Sequence, residues 1–209
     1  EAFAIASSTS HWTVVEILLE RGVDPSSNGG SCALVKCCRE GATNTARALL
    51  DKGVSSNTLE FNGARTIPVL VTAAREGHDA IVKLLLERKA DPLVADHDGN
   101  TPLHAAGLSG SKATVEQLLA VPSVKENSSF PNFQCHSPLV SACFSGNLEA
   151  VQLIWGEEED LSWPPSEAFA AAVRSGNLEL AEYLASVGCN PLPHGDSPVW
   201  LMRDATIRG

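Results

Sequence analysis

Aromatic side chains are scarce in this sequence: they make up 5% of its 209 residues, with a single Tyr and a single Met. A core with so few rings must come mainly from Ala and Leu, which recur throughout and favour helices. Long apolar runs are missing. None approaches the roughly 18–20 residues of a membrane-crossing helix, so no membrane insertion is expected. Positive charge is also short, with 15 basic residues against 25 acidic and a formal net charge of −10. A nucleic-acid partner normally needs a basic face, so none is expected. Cys32, Cys37, Cys38, Cys135, Cys143 and Cys189 form no evenly spaced framework. This fits a reduced, intracellular protein, cytoplasmic or nuclear. There is no signal peptide, and the chain does not begin with Met, which reads as a piece of a longer protein. There is no G-x-S-x-G, no P-loop and no H-E-x-x-H, so neither an enzyme nor a cofactor is expected.

What is present is repetition. "TPLHAAGLSGSKATVEQLL" (101–119) aligns with 1–19, 32–50, 68–86, 137–155 and 167–185. The small residue between the paired apolar segments falls at Ser10, Gly41, Gly77, Gly110, Gly146 and Gly176, at intervals of 31, 36, 33, 36 and 30. A second marker agrees: GVDP, KADP and GCNP each follow the second segment of a unit. With its period near 33, T-P-L-H and an interior Gly, the chain resembles the ankyrin-repeat family over essentially its whole length. The resemblance implies an all-α solenoid of helix–turn–helix units with β-hairpin or loop fingers. A single array, 1–209, divides into units near 1–27, 28–57, 58–94, 95–127, 128–160 and 161–191, with a partial seventh at 192–209. Both ends read as cuts through a longer array.

The fourth unit shows why these residues build the repeat. Asp98-Gly99 supplies a finger-tip turn. Thr101 is placed to cap the first helix, and Pro102 stands at the first helical position, where its missing N–H costs nothing. Leu103 and Ala106 face the core, Gly110 reverses the chain, and Val115, Leu118 and Leu119 form the second apolar stripe. The resemblance assigns His104 a structural role, bonding nearby backbone; its counterparts are Ala4, Val35, Val71, Val140 and Ala170.

Two stretches resemble metal sites and fail as such. From Asp96 a calcium loop would need Gly at position 6 and Glu at position 12, and the chain has Thr101 and Gly107 there. His97 and His104 lack a Cys pair for zinc. In "CALVKCC" (32–38), Cys37 occupies the small-residue core position of Ala73, Ala106, Ala142 and Ala172, and Cys32 is expected at a helix cap. No metal is expected.

The family's partners usually bind the concave face, formed by finger tips and exposed sides of the first helices. The residues before the inter-helix Gly include Arg39-Glu40, Arg75-Glu76, Leu108, Phe144 and Arg174. The fingers add His97, Asp98, Asn100, Phe130, Phe133, His136 and Trp163. The scaffold is expected to leave His97, Asp98, Asn100 and Leu108 free. Three Arg anchors around an apolar middle suit an acidic or phosphorylated peptide with a hydrophobic anchor. The plainer reading is that these arginines are solvated charges paired between units. Phe130, Phe133 and Trp163 either anchor a partner or tuck back on the scaffold, and the acidic run Glu157–Asp160 reads as a solvated loop. The expected function is a monomeric protein-interaction scaffold. The alternative is a regulatory or spacer segment packing on a catalytic or channel domain of its own, larger chain.

Overall fold

The computed structural model describes residues 2–26, 29–63, 65–156 and 165–189. Its helices come in antiparallel pairs: α1 (Ala2–Ser8) with α2 (Trp12–Glu20), and α3 (Gly30–Glu40) with α4 (Thr43–Asp51). Next come α5 (Val69–Arg75) with α6 (Asp79–Glu87), and α7 (Pro102–Ser109) with α8 (Lys112–Leu119). The last pairs are α10 (Pro138–Ser145) with α11 (Leu148–Trp155), and α12 (Pro165–Ser175) with α13 (Leu178–Ser186). The first helices α1, α3, α5, α7, α10 and α12 pack on one another in turn, and the second helices form a parallel layer from α2 to α11. This is an ankyrin-repeat solenoid. Each unit covers the apolar face of its neighbour, so one core runs along the array.

The residue that marks the period is the one that reverses the chain. Ser10 and the five glycines at 41, 77, 110, 146 and 176 all have left-handed backbones, with φ between 60° and 79°. A left-handed L-residue costs roughly 1–2 kcal/mol, which explains Gly in five units and leaves Ser10 as the strained copy. Gly107 is fixed by proximity instead: a Cβ there would stand 2.9 Å from Pro138 O and 3.0 Å from Ala142 N, so α7 and α10 approach through it.

Cys37 is buried with Ala73, Ala106, Ala142 and Ala172, as its register implies. Cys32 is corrected: Gly29 caps α3, and Cys32 is an exposed residue of its first turn. The reason is that α3 starts earlier in its unit than the T-P helices do. No disulfide joins any of the six cysteines. Among the described residues no helix is long and apolar enough to cross a membrane.

The two long fingers differ in kind. The first forms a hairpin, β1 (Leu59–Asn62) paired antiparallel with β2 (Arg65–Pro68). The second contains the short helix α9 (Pro122–Glu126), followed by a turn. Trp163, Glu157–Asp160 and the partial seventh unit lie outside the described residues.

The stacking register breaks once, at the first unit. Thr45, Ile81, Thr114, Ala150 and Leu180 share one position in successive units and all are buried. Val14, the same position in the first unit, is 45% exposed. Ile5 is exposed too, where Thr72, Ala105, Ser141 and Ala171 are buried or nearly so. These side chains face the place where a preceding unit would stand.

Candidate functional site

The fingers stand against the first helices: Arg39 near the end of α3 pairs with Glu60 of β1, and Arg75 at the end of α5 pairs with Asp96. The turn before α7 is organised by Asp96, a buried carboxylate that fixes the loop from inside. One oxygen accepts the backbone N–H groups of Asp98 (3.0 Å) and Asn100 (2.8 Å). The other accepts from Arg75 (2.7 Å) and from the Asn100 amide (3.3 Å). The following finger repeats the design. Asn132 stands at the Asp96 position, and its side-chain oxygen accepts from the N–H groups of Gln134 and His136, both at 3.0 Å. Its amide donates to Asn100 Oδ1 at 2.7 Å, tying the two fingers together. Cys135, with φ 62°, holds the left-handed position that Gly99 holds with φ 80°.

His104 joins the same network. His136 C=O can only accept, so His104 Nε2, 3.0 Å away, carries the proton. Nδ1 is then the acceptor for the Thr101 N–H (3.2 Å) and lies 2.9 Å from the Thr101 hydroxyl. Burial pushes the ring down to about 4, against the opposing pull of the His136 carbonyl and of Asp96. The structural role assigned to His104 is what the geometry shows.

Several residues expected to face a partner are engaged by the scaffold. Asn100 is buried with both ends of its amide bonded, which corrects the expectation that it is left free. The reason is that the residue closing a turn needs a polar side chain inside it. The Arg75 guanidinium is half-buried against the fully buried Asp96. Arg39 pairs with Glu60, and Glu40 accepts from Ser10 (2.8 Å) and the Trp12 indole (3.1 Å). His97 gives its backbone N–H to Thr66 C=O (3.3 Å). Its Nε2 lies 3.1 Å from an Asp98 oxygen but without hydrogen-bond alignment. Phe144 and His136 are half-buried against each other, edge to face with centroids 5.5 Å apart.

Others do point outward. Phe130 and Phe133 are 61% and 79% exposed, and Leu108, Glu76 and Arg174 are exposed as well. Phe133 leans on Gly99 and gives its N–H to Asp98 C=O at 3.0 Å, so its backbone is held while its ring is presented. Two apolar residues escaped the sequence reading: Leu59 and Phe61 on β1 are also exposed. They line a groove of about 450 Å³ with Ser31, Cys32, Val35, Lys36, Arg39 and Glu60. The alternation of Leu, Glu, Phe and Asn was the available signal.

Asp96, His97 and Asp98 bring ligand-type atoms within 4.8 Å of one another. Both Asp96 oxygens already serve Arg75 and the turn, so Asp96 works as the finger-tip brace. Burial raises the Cys37 and Cys38 thiols, Cys38 to about 12, which keeps them protonated and unreactive as small core residues.

Residues 57–129 match the family model for ankyrin repeats, in three copies. Over 189 residues, 90% of the chain, the sequence is 32% identical to an ankyrin repeat and KH domain-containing protein of Caenorhabditis briggsae, of which it spans 7%. It is 34% identical over 104 residues, 49% of the chain, to the ankyrin repeat and KH domain-containing protein mask of Drosophila melanogaster, spanning 3% of it. It is 28% identical over 155 residues, 73% of the chain, to a transient receptor potential cation channel subfamily A member 1 homolog of Caenorhabditis elegans, spanning 12% of it.

Proposed function

We propose that this ankyrin-repeat chain is a protein-interaction scaffold that holds a protein or peptide partner on its concave face and finger tips. Ankyrin repeats are generally protein-interaction modules. What supports the reading here is the exposure of Phe130, Phe133, Leu108, Leu59 and Phe61, with the turn before α7 braced by Asp96 and the turn before α10 by Asn132. Exposed aromatic anchors on rigid loops lose little conformational entropy on binding and bury apolar area worth a few kcal/mol each.

The arginine part of the partner's chemistry is narrower than the sequence suggested. Arg75 stabilises a buried carboxylate, leaving Arg174, and Arg39 after exchange of its Glu60 partner, as cations for an acidic or phosphorylated peptide. The test is capture of partners from a cell extract by the intact array, followed by titration against Phe133→Ser, Leu108→Ser and Arg174→Glu. Weakened binding with an unchanged melting temperature is expected. Equal affinity for all three variants, together with loss on changing the opposite helix layer, would sink the reading.

A second reading has a specific observation behind it. Val14, Ile17 and Ile5 leave an apolar end on the first unit, which suits an array continued by, or packed on, other parts of a larger chain.

A further inference from the structure

We propose that the outer edge of β1 takes up an extended segment of a partner protein as a third strand, seating an apolar side chain in the groove between β1 and α3. This deepens the scaffold reading and rests on it for the partner being a protein.

The register identifies which edge is open. β1 and β2 pair Leu59 with Pro68, Glu60 with Ile67, Phe61 with Thr66 and Asn62 with Arg65. One step beyond the ladder, the Val69 N–H donates to Thr58 C=O at 3.0 Å. Antiparallel bonding alternates, so Thr58, Glu60 and Asn62 turn their backbone groups towards β2, and Leu59 and Phe61 turn theirs away. No hydrogen bond to those outward groups is found among the described residues. The other side of the hairpin is engaged: Thr66 C=O accepts the His97 N–H from the next finger. Among the described residues the finger ladder therefore ends at β1.

Proteins usually guard such an edge with Pro, an outward charge or a bulge. β1 reads Leu-Glu-Phe-Asn, and its one charge, Glu60, is only 12% exposed and turned onto Arg39 and the Thr72 hydroxyl. Beside the edge lies the 450 Å³ groove, with Val35, Cys32, Leu59 and Phe61 as its apolar walls. Donors and acceptors at strand spacing beside an apolar trough match an extended chain; a helix has no unpaired backbone groups to offer. The two cations of the groove are already matched, Lys36 by Glu40 at 3.7 Å and Arg39 by Glu60, so its apolar walls and the strand edge set what it takes. The segment that fits is therefore extended, with alternating apolar residues.

The experiment uses the whole chain and a short labelled peptide of alternating valine and threonine. Two further probes carry backbone N-methyl groups at alternate residues, one in each register. Amide shifts of Leu59 and Phe61 on titration are expected, with one methylated register weakened about tenfold or more and the other little changed. Phe61→Pro removes the ring and the outward N–H but no bond to β2, so the ladder persists and the melting temperature holds while binding is lost. Phe61→Thr keeps the N–H and binds more weakly than wild type but better than Phe61→Pro. Equal binding of both methylated probes, or shifts that avoid β1, overturns the inference. A concentration-dependent dimer abolished by Phe61→Pro would assign the edge to a second copy and overturn it also. A natural partner that is weakened by Phe133→Ser but is indifferent to Phe61→Pro would leave the scaffold reading standing and remove only this one.

Discussion

Replacing His104 by Asn should change how stability responds to acid more than it changes stability at neutral pH. The neutral ring is held by two complementary bonds: Nε2–H to His136 C=O, and Nδ1 from the Thr101 N–H. A second proton would sit on Nδ1 and turn an acceptor into a donor facing a donor. It would also place a charge where the side chain is 1% exposed. The folded-state value is therefore pushed down to about 4 from an ordinary 6.5. For a histidine whose value falls on folding, the unfolded chain binds more protons between those limits. The ring's contribution is complete above 6.5 and is lost as pH falls towards 4. At 1.36 kcal/mol per unit the loss approaches about 3 kcal/mol, a sizeable share of the 5–15 kcal/mol that holds a typical domain. Urea unfolding of both proteins from about pH 7 to about pH 4.5 measures it. The wild type should be more stable by roughly 1–3 kcal/mol at neutral pH, and the gap should shrink by about 2 kcal/mol or more at the acid end. Asp96, the nearby carboxylate, is present in both proteins and cancels in the difference. A gap constant with pH, or an imidazole resonance titrating near 6.5, would refute the argument.

Two other substitutions test the scaffold. Asp96→Ala leaves Arg75 and three donors of the turn without their acceptor and should cost about 3 kcal/mol or more; Arg75→Ala, removing a half-exposed partner, should cost about 1–2 kcal/mol, and thermal melts would show whether that order holds. Val14→Ala should cost under about 1 kcal/mol, while Ile81→Ala, at the same position two units further in, should cost about 2–5 kcal/mol. Similar losses in denaturant melts would mean that the first unit's outer face is covered.

The fold was legible because each of its rules is local and recurs. A left-handed reversal needs Gly, a helix start tolerates Pro, and a stacking face needs apolar residues at helical spacing. Six copies average out the exceptions, Ser10 among them. The face was only partly legible, for a physical reason. Polarity in sequence says that a side chain prefers water or a partner, without saying which. Asn100 and Arg75 looked available and are committed to Asp96, since a turn closed by backbone N–H groups needs an acceptor inside it. Asp96 and Asn132 recur five residues before Thr101 and Ser137, and that spacing was the signal for them. Leu59 and Phe61 were not legible as an open edge, because only the hairpin register shows which backbone groups face out.

The same bonds show where the array is most tightly joined. His104 is the one histidine among six equivalent positions, and its acceptor lies in the next unit. At the same junction Asn132 bonds Asn100, Phe133 N–H bonds Asp98 C=O, and Gly107 lets α7 meet α10 without a side chain between them. The finger turns before α7 and α10 are thus one bonded body, and Phe133 projects from it. An anchor on such a platform is already ordered before a partner arrives, so little of its contact energy goes to fixing a loop. The hairpin edge at β1 stands at the other end of that ladder, where pairing stops among the described residues. On the proposed reading a partner meets two different surfaces: the exposed rings of Phe130 and Phe133 in the fifth unit, and a strand edge in the third.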